Sequence, residues 1–215
     1  SSDVCSSDLR IMNRAATQDL RSVISWPVIR RVLGDSAPSE IARRSVELLD
    51  RWHSEGSSRL DRDLDGKIDA PGAAVMDRAW TGLSNAVLEP VLGPMVDELA
   101  ALVPRDKSAS SRGSSYIEGW YGYIDKDLKR LLGEPTKAPF SRGYCGNGDL
   151  AKCRASLWAA LGRAGNELAA EQGSDPDRWF SDATKERINF RTGLLRRTMR
   201  WANRSSFQQL IEFAK

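Results

Sequence analysis

The chain has 215 residues, 40% of them hydrophobic and 28% charged, proportions that suit a globular protein with one substantial core or two small ones. Its 32 Lys and Arg are interspersed with 29 Asp and Glu, for a formal net charge of +3, which leaves no basic stripe for nucleic acid. No apolar run reaches the roughly 20 residues of a membrane span, and the seven tryptophans demand either a large interior or a large partner surface.

The first nine residues, Ser1 to Leu9, are polar and lack a hydrophobic period. The string Asp3-Val4-Cys5-Ser6-Ser7-Asp8-Leu9 resembles the translation of a DNA-sequencing adapter. The alternative is a natural serine-rich terminus. On the adapter reading Cys5 leaves the cysteine count and coding sequence is expected further upstream.

From Asn13 to Leu33 the residues Leu20, Val23, Ile24, Val28 and Val32 have helical spacing on either side of Pro27, which is expected to kink or divide the helix. Gly34 is a stop signal. Ser36 to Ser39 offers caps for an amphipathic helix through Ile41, Ser45, Leu48, Leu49 and Trp52, ended by Gly56. After a charged loop, Val75, Met76, Trp80, Leu83, Val87 and Leu88 predict a long helix over 73–92. Pro94 can open a short one running to Leu102. Pro104 to Ser115 reads as an exposed loop. Ile117, Trp120, Tyr121, Ile124, Leu128 and Leu131 predict a helix within 116–132. Gly133 to Gly148 is a Pro- and Gly-rich connection. Asp149 then caps a strong helix through Cys153, Leu157, Leu161 and Leu168, stopped by Gly173. Asp175-Pro176 starts a short turn around Trp179. After Glu186 the pattern changes. Arg187 to Phe190, Thr198 to Trp201 and Ser206 to Phe213 are short and strand-like, so the body over 13–185 is expected to be helical and the tail over 187–213 rich in strand.

The sharpest local motif is Asp61-Arg62-Asp63-Leu64-Asp65-Gly66-Lys67-Ile68-Asp69. Oxygen ligands at alternate positions, followed by a glycine, match the start of an EF-hand-type calcium loop. Asp61, Asp63, Asp65 and Asp69 would coordinate through carboxylates and Lys67 through its backbone carbonyl. The departure is Gly72 at the twelfth position, where a bidentate Glu belongs, so Asp77 or an acid from elsewhere would have to complete the shell. Such a calcium ion would be a structural clip between two helices. The plainer alternative is a solvated acidic turn at Asp65-Gly66.

With Cys5 set aside, Cys145 and Cys153 remain. Their spacing, across a turn and into a helix, can bring the Cα atoms within disulfide range, which would imply an oxidising compartment. Two free cysteines are the alternative. A zinc site is disfavoured, because His53 is the sole histidine and reads as a surface or capping residue.

The tail Met199-Arg200-Trp201-Ala202-Asn203-Arg204-Ser205-Ser206-Phe207-Gln208-Gln209-Leu210-Ile211-Glu212-Phe213 resembles the C-terminal signature of the penicillin acylase (penicillin amidase) family. Three further stretches resemble actinobacterial-type members: Ala16 to Arg21, Asp125 to Leu128 with Leu131-Leu132-Gly133, and Phe140 to Arg142 leading into Tyr144-Cys145-Gly146.

The resemblance implies an N-terminal-nucleophile hydrolase, a secreted or periplasmic precursor that cleaves itself into an α and a β chain. A serine at the start of the β chain attacks the amide, with its own α-amine as base, and an asparagine with backbone donors stabilises the oxyanion. Both groups lie upstream of the part this chain resembles, so no catalytic residue is assigned. Ser1 is not a candidate nucleophile, because Ser1-Ser2-Asp3-Val4 departs from the family's Ser-Asn start. Asn203, Arg204 and Gln208 read as structural or supporting residues. The implied fold is α+β: a mostly helical C-terminal portion of the β chain over 10–215, whose short terminal strands complete an αββα sheet core. The implied partners are the upstream α chain and the N-terminal part of the β chain, with a small-molecule acyl amide as substrate, such as a β-lactam, an acyl-homoserine lactone or a lipopeptide. On its own the chain is expected to be inactive and poorly soluble, with several tryptophans uncovered. The competing reading is a secreted calcium-binding helical module without catalysis.

Overall fold

A computed structural model describes residues 11, 14, 17–106, 119–137 and 142–186. Among the described residues six α-helices form: α1 (Trp26–Leu33), α2 (Glu40–Ser54), α3 (Pro71–Leu92), α4 (Met95–Leu102), α5 (Tyr121–Leu131) and α6 (Leu150–Gln172). A π-helical turn, Arg21–Ser25, runs straight into α1. Pro27 therefore sits in the first turn of α1, the helical position where proline is best tolerated. The widened turn just ahead of it is how the chain passes the ring.

The caps follow their local chemistry. The Ser39 hydroxyl accepts from Ala42 N at 3.3 Å. The Asp149 carboxylate accepts from Ala151 N at 2.8 Å and Lys152 N at 3.1 Å. Each satisfies donors that a helix start cannot pair internally.

α3 is the central helix. It packs most extensively on α6, and α2 lies against both. Its buried set includes Ala74, Val75, Met76, Ala79, Trp80, Leu83 and Val87, which is wider than one amphipathic stripe because neighbours cover it on several sides. Small residues set the close approaches. A Cβ added at Gly165 of α6 would meet Ile41 Cγ1 and the Ser45 hydroxyl of α2, both at 2.8 Å.

The six tryptophans among the described residues are covered by the chain itself, contrary to the expectation of several uncovered rings. Trp26, Trp52, Trp80, Trp120, Trp158 and Trp179 are each 5% exposed or less. Every one of these six indole N–H groups also finds an acceptor: Asp50 Oδ1, Ser58 O, Arg105 O, Val103 O, Leu33 O and Gly173 O, at 2.8 to 3.1 Å. Five of the acceptors are backbone carbonyls, so the rings fill the core while their edges fasten adjoining chain segments to it.

The expected α+β class is not what the structure holds. Among the described residues the elements are helices and helical turns, and no sheet forms. Extended pairing is confined to three isolated bridges, Gln18 with Ser58, Lys67 with Asp182 and Asp106 with Gly119. The sheet core is thereby corrected to an all-helical body. The physical reason is that every long apolar pattern in that body repeats at helical spacing, so no element offers the period-2 face a sheet needs. The strand-like stretches assigned to 187–213 lie outside the described residues, as does the adapter-like start.

Candidate metal centre and the buried ion-pair cluster

The acidic loop joins α2 to α3. Asp61 Oδ2 accepts from Gly66 N at 3.1 Å, Asp63 Oδ1 from Asp65 N at 3.2 Å and Asp65 Oδ1 from Lys67 N at 2.8 Å. These bonds wrap the backbone round the carboxylates. Gly66, at φ +89°, takes the left-handed turn that a side chain resists. One ligand atom from each of Asp61, Asp63 and Asp65 lies within 4.8 Å of the others. Asp61 is buried, whereas Asp63 and Asp65 are exposed. Three carboxylates this close repel one another, and a hard cation with oxygen preference would relieve that repulsion.

The remaining assigned positions behave differently. Asp69 turns back on the loop entry, accepting from Arg62 N at 3.1 Å and pairing with the Arg62 guanidinium at 3.0 Å. Lys67 lies 3.8 Å from Asp65 Oδ2, with its ammonium over the Phe180 ring. Gly72 has a steric explanation: a Cβ there would sit 2.5 Å from Leu48 O and 2.6 Å from Trp52 Cβ. The twelfth position is where α3 meets α2, and no side chain fits between them. The second half of the loop is held by the chain's later segment instead. Ile68 N donates to Ser181 O and Ala183 N to Gly66 O, both at 2.9 Å.

Asp77, named as a possible completing ligand, belongs to a separate cluster. Its Oδ1 accepts from Arg21 Nη2 at 2.6 Å and Arg59 Nη1 at 2.9 Å. Its Oδ2 accepts from Arg59 Nη2 at 2.9 Å and from the Ser181 hydroxyl. Asp19 accepts from both arginines, and Arg21 also pairs with Asp106 at 3.1 Å. The Tyr121 hydroxyl donates to Asp106.

Backbone pairing builds this cluster. Asp19 N donates to Ser57 O and Arg59 N to Thr17 O, which sets Asp19 beside Arg59. The indole bonds of Trp80 and Trp120 hold 103–105, so that Asp106 reaches Arg21. Burial pushes the Asp77 carboxyl up. The Arg59 and Arg21 guanidiniums outweigh it and, with hydrogen bonds from Arg59 and Ser181, hold it well below the carboxylate range. Burial, then the charge of Asp106, pushes the Tyr121 hydroxyl far up. Burial works against the charge of Arg21, but Asp106, Asp19 and Asp77 overcome it and hold the guanidinium protonated. A carboxylate locked ionised and a phenol locked neutral are poor proton shuttles near neutral pH. The cluster ties Asp19, Asp77 and Asp106 to Arg21 and Arg59. Sequence reading singled out Asp77 but neither Arg59 nor Asp106, since no local pattern marks a long-range ion pair.

Two other features belong to the same core. His53 approaches the Ser22 hydroxyl at 3.5 Å, and Ser22 bonds Ser57 at 2.7 Å. Both serines are buried. Cys145 and Cys153 form a disulfide with a Cα separation of 5.0 Å. The buried Asp127 carboxylate accepts from Tyr144 N at 2.8 Å and Cys145 N at 2.9 Å, so the turn is tied at both ends.

No family model matches the chain, and no curated protein matches it. The likeness to penicillin acylases therefore rests on the quoted residues. Of these, Asp127 meets Tyr144 and Cys145, while Asp19 and Arg21 lie in the ion-pair cluster. No helix among the described residues is long and apolar enough to cross a membrane.

Proposed function

We propose that this chain is a calcium-clipped helical scaffold belonging to an amide hydrolase, and that it does not itself carry the reacting groups. The observation that supports the clip is the carboxylate arrangement of the acidic loop. Asp61, Asp63 and Asp65 converge around a turn whose amides bond one oxygen of each carboxylate, and Gly66 takes the conformation such loops require. Asp61, Asp63 and Asp65 would hold the ion, with the Lys67 carbonyl available as a further ligand, and the ion would supply charge neutralisation and loop order rather than Lewis-acid chemistry. Calorimetric titration with calcium tests this directly. The wild type is expected to bind with measurable heat, and Asp61→Ala and Asp65→Ala to abolish it. A flat wild-type titration removes the metal.

The assignment to an acylase of the penicillin acylase type rests on the sequence resemblance. Of the resembling residues that are described, Asp19 and Arg21 take part in ion pairs and Asp127 holds the Tyr144–Cys145 turn. The parent's substrate would be an acylated small molecule, and the partners of this chain the segments that bear the nucleophile and the oxyanion asparagine. The disulfide favours a secreted or periplasmic setting. The pure chain is expected to leave a chromogenic phenylacetyl or fatty-acyl amide intact, and turnover above a heat-denatured control would overturn the scaffold reading.

A further inference from the structure

No further inference is drawn: the strongest candidate, the cleft between α3, α6 and the 180–182 segment with Arg21, Arg59 and Asp77 at its floor, carries nothing because each Asp77 oxygen already accepts two donors, from Arg21, Arg59 and Ser181, and no remaining group there says what ligand would fill it.

Discussion

Arg59 shows how a single charged side chain can be buried at little risk to the fold. Its side chain is 1% exposed, and an unpaired guanidinium in that position would cost several kcal/mol. Asp19 and Asp77 together meet it with three hydrogen bonds at 2.9 to 3.1 Å. Replacing Arg59 by alanine leaves the fully buried Asp19 with Arg21 as its remaining guanidinium partner and removes two of the four donors to Asp77. The expected loss is about 3–5 kcal/mol, the usual cost of breaking one side of a buried pair. Urea unfolding of wild type and Arg59→Ala measures it, and a loss under about 1 kcal/mol would mean that the cluster contributes little. Gly72 makes the complementary point. It departs from the calcium-loop pattern because Leu48 and Trp52 occupy the space a side chain would need, so packing between helices overrides ligation at that residue.

At the scale of elements, α6 depends on how its start is pinned. Asp149 caps the first turn, and the disulfide ties Cys153 in that turn to Cys145, eight residues back. Closing a loop of this size in the unfolded chain is worth about 2.5 kcal/mol on the chain-entropy relation. Reduction is therefore expected to lower stability by roughly that amount while leaving the helix in place, since the cap and the Asp127 bonds to Tyr144 and Cys145 persist. Mass measurement after alkylation, with and without reductant, establishes the bridge. Denaturant unfolding under the two conditions gives its worth, and indistinguishable midpoints would show that the cap alone holds the turn. Helix positions and stops were legible beforehand, because propensity, caps and a 3.6-residue period are written into neighbouring residues. The passage round Pro27 was legible as a break, but its form, a π-helical turn feeding straight into α1, depends on burying Leu20, Trp26 and Ile29 together.

For the whole molecule, the ion-pair cluster sets a pH limit. The Asp77 carboxyl is held in the folded chain below its ordinary value of 3.8. As the pH drops past that value, the unfolded chain takes up a proton that the folded chain still refuses. Asp77 thus contributes stability above about pH 4 that is lost progressively on further acidification. Unfolding free energy is expected to fall steeply between pH 4 and pH 2, and the Asp77→Asn variant to show a shallower fall from a lower plateau. Equal slopes would place the acid limb on other carboxylates. Because the cluster joins the π-turn, the 57–59 segment, α3, the 103–106 segment and Ser181, its loss is expected to register as a global transition rather than local fraying.

The helical body, its caps, the carboxylate loop and the Cys145–Cys153 pairing were all readable in the amino-acid order. Each rests on residues within a few positions of one another, where spacing alone fixes geometry. The tertiary structure decided the rest. Among the described residues it formed no sheet core, and it covered six indoles, with Trp158 reaching Leu33 across 125 residues. It also drew Asp77 away from the loop to Arg21, Arg59 and, across 104 residues, Ser181. The reason is physical. Local patterns dictate which residues turn together, but partners for a buried charge or an indole N–H are chosen only when distant segments are packed, and no spacing rule along the chain encodes that choice.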